Sequence, residues 1–205
     1  MGIVATWLHV ERASLASWVG RRDLDPAALE AALREKGVDP GLVNDVIYYG
    51  YEEPDPQWNS ALALLTTVKA YDVDKCFTGS VRGLASVAAA LPGAAAVVEW
   101  VAARRPVVKL PPPWKRTDIV GFEVVATADE VRALLPALAP FRERVACAAY
   151  AKPQTGGLLA SWSRRKRSLR AWTEDDYYWN GWLRMLEALD DVAGSSADYL
   201  GLETG

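Results

Sequence analysis

GIVATWLHVERASLASWV, residues 2–19, changes its period halfway along. Residues 2–10 are short, rich in β-branched and aromatic side chains, and stop directly before a polar stretch, which predicts a core strand opening the fold. In that strand Val4, Thr6, Leu8 and Val10 share one face, while Ile3, Ala5, Trp7 and His9 share the other. Residues 11–19 then place Leu15 and Trp18 together at helical spacing.

Working outward, Asp25-Pro26 followed by AALEAALREKG has a capping aspartate, a proline suited to the first helical position and a glycine, Gly37, suited to the end. Leu29 and Leu33 give that helix a buried face. Three further helices are predicted in SALALLTTVKAY (60–71), SVRGLASVAAALPG (80–93) and AAAVVEWVAARRP (94–106). VVKLPPPWKRTD (107–118) reads as an extended connection, because consecutive prolines remove hydrogen-bond donors, and it divides sub-halves 1–106 and 114–205.

IVGFEVVATADEV (119–131) predicts a strand ending at Thr127, which opens a capping box with Glu130. The helix that follows carries Val131, Leu134, Leu135 and Leu138 and is expected to kink or end near Pro136 and Pro140, with a separate helix over 141–150. After the loop KPQTGG, residues 158–172 as a helix gather Leu158, Trp162, Leu169 and Trp172 near one face, away from Arg164, Lys166, Arg167 and Arg170. A last helix follows, capped at Thr173, with Tyr178, Trp182, Met185, Leu186 and Leu189 as its apolar stripe, and ADYLGLET closes the chain as a short strand. The whole predicts one compact, helix-rich α+β domain, a small sheet covered by several helices.

A chain of 205 residues, 51% hydrophobic, can bury a full core without needing several domains. Its net charge of -3 argues against a polyanion as main partner. The basic run 164–170 is followed by Glu174, Asp175 and Asp176 and separated by periodicity from its tryptophans, whereas stacking and phosphate contacts must act on one face. No nucleic acid is expected. Cys76 and Cys147 lack the spacing of a metal site or redox dithiol and read as reduced, packed thiols. Neither a signal peptide nor a membrane span is apparent, so a cytoplasmic protein without a membrane partner is expected.

Four segments together resemble the YfbM-like family of uncharacterised bacterial proteins: MGIVATWLHVERASLASW at the start, Tyr71-Asp72-Val73-Asp74-Lys75, GFEVVATADEVRALLPALAPF, and WTEDDYYWNGWLRMLEALDDVAG before the final strand. Members of that family typically carry a tryptophan soon after the Asp-x-Asp-Lys segment, then a histidine and a Leu-Thr-Gly turn. This chain has Cys76, Phe77, Thr78 and Gly79 there, so any role of that region in relatives does not carry over. The resemblance implies an α+β fold with a small helix-covered sheet, and no established reaction.

His9 is the only histidine, so every catalytic triad or histidine metal site must pass through it. In a strand it reads as a hydrogen-bonded structural ring. The patterns G-x-x-x-x-G-K-[ST] and G-x-G-x-x-G are absent, which disfavours nucleotide cofactors; no cofactor and no metal is expected. Asp72 and Asp74, with Lys75, follow a predicted helix; extended, the two carboxylates share a face and could divide acid and base roles, and otherwise they cap the next helix. YYGYEEPDPQW (48–58) is the other unusual cluster, with Tyr48, Tyr49, Tyr51, Glu52, Glu53, Asp55 and Trp58. It reads as a solvated acidic loop with half-buried rings, and equally has the composition of a recognition surface or the rim of a small-molecule pocket. Two functions follow: an accessory or inhibitory protein that acts by binding another protein, or a cofactor-independent enzyme acting on an aromatic or amine-bearing small molecule, with His9 or Asp72 and Asp74 transferring protons.

Overall fold

A computed structural model describes residues 5–22, 24–73, 94–103, 105–114, 121–150 and 176–204. The predicted opening strand is β1 (Ala5–Val10), and it lies inside a four-stranded antiparallel sheet. β2 (Thr67–Val73) pairs with one edge of β1, β4 (Tyr199–Thr204) with the other, and β3 (Gly121–Thr127) pairs with β4, giving the order β2-β1-β4-β3. The first and last strands are therefore neighbours, and residues on either side of the proline-rich connection share one sheet.

Both faces of the sheet are covered, and the alternation along β1 decides what goes where. Leu8 and Val10 enter a core formed with α1 (Arg12–Val19), α2 (Pro26–Glu35), α3 (Pro40–Tyr48) and α4 (Trp58–Thr66). Trp7 enters a second core with α5 (Ala94–Ala103), α6 (Ala128–Tyr150) and α7 (Asp176–Gly194), where it stacks on Trp100 at 5.7 Å. The fold is a helix-rich α+β structure. No described helix is long and apolar enough to cross a membrane.

Local signals place these elements. Asp25 accepts from the Ala28 amide at 2.7 Å, Pro26 opens α2, and Gly37 takes φ +79° beyond its end. Leu29 and Leu33 are wholly buried. At the end of β3 the Thr127 amide and hydroxyl donate to Glu130 at 2.7 and 2.9 Å, and the Glu130 amide donates back to the Thr127 hydroxyl at 3.2 Å, a complete capping box. Gly201 of β4 is obligatory for another reason: an added Cβ would stand 2.8 Å from Val10 and 2.9 Å from Phe122. Those two side chains close the sheet's α1–α4 face over the space the glycine leaves.

Two expectations are corrected. Residues 60–71 are not one helix: α4 ends at Thr66, and β2 begins at once. The β-branched run Thr66, Thr67 and Val68 favours extension, and the abrupt change is capped from outside, since the Lys36 ammonium donates to the carbonyls of Leu64, Leu65 and Thr67 at 2.7, 2.8 and 2.8 Å. Conversely, Pro136 and Pro140 do not end or divide their helix, which runs unbroken to Tyr150. Both prolines lie on its exposed side, where water can take the carbonyls they leave unpaired. Val131, Leu138 and Phe141 hold the other side in the core. The helix predicted over 80–93, the basic run 164–170 with Trp162 and Trp172, the cap at Thr173, and Asp74 to Cys76 lie outside the described residues, as do the side chains of Asp72, Cys147, Tyr178 and Trp182.

Candidate functional site

Strand register gathers titratable groups at one rim of the sheet. β1 and β2 set His9 opposite Lys69 and Trp7 opposite Tyr71, the C-terminal turns of α7 bring Asp191, and the turn into β4 brings Asp198. His9 Nε2 lies 2.8 Å from Asp198 Oδ2, and the other carboxylate oxygen accepts the Arg12 amide at 3.3 Å, so Asp198 also caps α1. The imidazole side chain is 13% exposed.

Beside it, Lys69 Nζ donates to Asp191 Oδ2 at 2.8 Å, and the buried Tyr71 hydroxyl donates to that same oxygen. Burial, reinforced by Asp191, pushes the Tyr71 hydroxyl well above the usual tyrosine range. Hydrogen bonds from Lys69 and then Tyr71 hold the Asp191 carboxyl below its usual range, with a smaller contribution from His9. The ammonium of Lys69 also sits 4.7 Å from the centre of the Tyr71 ring. Asp190 and Asp191 stand near the C-terminus of α7, where the helix dipole disfavours carboxylates and no basic residue of that turn offsets them. Cations from other elements do so instead: Lys69 at Asp191, and Arg142 of α6 at Asp190. These acids tie α7 to its neighbours.

The segment after α3 is built differently. Tyr48 is half-buried and donates its hydroxyl to Glu30 at 3.2 Å, a bond that raises the tyrosine's pKa; Arg34 holds Glu30 low. The chain then turns sharply at Gly50, φ +79°, and three backbone bonds fold it onto α3: Tyr51 to Tyr48, Asp55 to Ile47 and Gln57 to Val46, at 2.6, 2.9 and 2.8 Å. On this tied loop Tyr49 is 57% and Tyr51 66% exposed. Glu52, Glu53 and Asp55 are exposed beside them and form no ion pair with described residues. Trp58 is half-buried and meets the buried Trp114 edge to face at 5.6 Å. Residues 37–68 hold five acids and no lysine or arginine, and the rest of the chain therefore carries +2 of the total -3.

The candidate residues of the sequence thus fall into separate places. His9 joins a carboxylate that sequence reasoning did not name. Asp72 stands within β2, opposite Thr6, and so belongs to the alternate set of positions from His9 and Lys69. Tyr48 and Trp58 are half-buried as expected, whereas Tyr49 and Tyr51 stand well out in water. Lys69, Tyr71, Asp191 and Asp198 were missed; period-two alternation in VKAY and paired acids against a helix end were their only signals. Two cavities of about 490 and 510 Å³ flank the proline-rich connection and share Pro106. His9 lines neither. Among the described residues no group of His, Cys, Asp or Glu side chains could hold a metal.

These features define a helix-rich α+β protein with a tied polar rim on one side of its sheet and an exposed aromatic, acidic loop on the other. No family model, curated protein or solved structure matches the chain.

Proposed function

We propose that this protein acts in the cytoplasm by binding, as an accessory or inhibitory partner of another protein that presents a basic surface to the loop after α3. One observation carries the reading. Of the five exposed large hydrophobic side chains among the described residues, Leu42, Tyr49 and Tyr51 lie on α3 and its loop, within a segment, residues 37–68, that has five acids and no lysine or arginine. Tyrosine rings supply contact area at little entropic cost, and unpaired carboxylates select lysine and arginine. The resemblance to YfbM-like proteins, which implies no reaction, is compatible with this.

The test is capture by the full chain from extracts of the cells that make it, followed by reconstitution from purified components. A protein retained by the wild type, lost with Tyr49→Ser/Tyr51→Ser and bound more weakly as salt rises supports the reading. A turnover that vanishes in His9→Gln while the thermal melt stays intact replaces it with the acid/base enzyme.

A further inference from the structure

The connection between the sheet's two halves is pinned at two points seven residues apart. The Val107 amide donates to the Val124 carbonyl of β3 at 2.8 Å, and Trp114 is wholly buried against Trp58. Between the pins the chain stands off β3 and leaves the cavity of about 490 Å³, within the usual range for small-molecule sites. Phe122, 1% exposed, belongs to the buried part of its lining, and Val108, Leu110, Pro111 and Pro112 contribute the connection's share. Prolines bring no amide donors and little freedom to lose, so this side offers few donors to water and is already stiff. Val108 and Leu110 remain only half-buried, which leaves apolar area for a ligand to cover.

Charge selects the ligand's polar end. Lys109 is exposed at this cavity and pairs with no described residue, whereas Glu123, the other charged residue there, is engaged in an interaction of its own. In the cavity on the opposite side of the connection both charged side chains for which bonds are described are already engaged, Glu130 in the capping box and Arg105 with the Ala103 carbonyl and a further partner. We propose that the cavity beneath residues 107–114 binds a small molecule with an apolar body and one carboxylate, the body against Phe122 and Leu110 and the carboxylate on Lys109.

Isothermal titration of the full chain with octanoate, octan-1-ol and octylammonium tests this, with 4-phenylbutanoate run beside them to tell an aryl body from an alkyl one. Saturable one-to-one binding of octanoate is expected, about tenfold tighter than octanol, the worth of one charge-assisted hydrogen bond. Lys109→Gln should erase that preference. Leu110→Trp should fill the cavity and abolish binding; if its melt falls, Pro111→Trp, at an exposed position, gives the same block on an intact fold. Absence of saturable octanoate binding, or binding that survives a well-folded tryptophan variant, overturns the site. Octanol or octylammonium binding as tightly as octanoate, or octanoate affinity unchanged in Lys109→Gln, overturns the carboxylate assignment.

Discussion

The rim at the junction of β1, β2 and α7 and the loop after α3 use the same residue types, tyrosines and carboxylates, to opposite ends. At the rim Tyr71 is buried with its hydroxyl on Asp191, and both Asp191 and Asp198 are matched by groups from distant parts of the chain. On the loop Tyr49 and Tyr51 face water, and Glu52, Glu53 and Asp55 have no described ionic partner. Matched groups stabilise a fold; ordered but unmatched ones are available to something else. The proposed recognition therefore falls on the loop, and the rim is assigned to stability.

Breaking the rim should give the largest effects. Tyr71→Ala removes a buried ring and should destabilise the fold by about 3–5 kcal/mol in urea unfolding, as for other large core aromatics. Asp198→Ala deprives both His9 and the α1 N-terminus of an acceptor and should cost roughly 1–2 kcal/mol. Tyr71→Phe keeps the ring and loses only the bond to Asp191, about 1 kcal/mol. The smallest effect should come from the other region: Tyr49→Ser/Tyr51→Ser should shift stability by no more than about 0.5 kcal/mol, because neither ring is packed. A large loss there would mean that the loop, too, belongs to the core.

The pH dependence sharpens the same contrast. Tyr71's pKa is raised on folding, so its contribution is fully present below the ordinary tyrosine value near 10 and is lost as pH rises beyond it, where the unfolded chain ionises and the fold resists. Asp191 is lowered, so its contribution is present above about pH 4 and fades as pH falls through the acid range. Lys36, held down by burial, works against Tyr71 at high pH, because deprotonation relieves the cost of its buried charge. The discriminating quantity is therefore the difference between wild type and Tyr71→Phe, whose stability should fall less steeply above about pH 10.

Much of the fold was legible because local chemistry and tertiary packing agree. Asp25-Pro26 with Gly37, Thr127 with Glu130, and the apolar alternation over residues 5–10 each form the element they predict. Legibility failed where distant residues decide. Nothing near Thr66 announces the Lys36 ammonium that lets α4 stop and β2 begin, and nothing near Pro136 announces the packing that carries α6 through it. The candidate site divides in the same way. A loop of exposed rings and acids is contiguous, so residues 48–58 were visible as a cluster. The rim joins residues 9, 69, 71, 191 and 198, which only sheet register and the end of α7 bring together.

The central claim is that this protein works through the exposed rings of the loop and not through His9. It is tested most directly by measuring the affinity of the reconstituted partner for three forms of the full chain: wild type, Tyr49→Ser/Tyr51→Ser and His9→Gln. The account predicts that the tyrosine variant weakens binding by about tenfold or more, as loss of interface aromatics does, while His9→Gln stays within about twofold and both variants melt close to the wild type. Equal affinity for the wild type and the tyrosine variant, or loss of binding confined to His9→Gln, would contradict it.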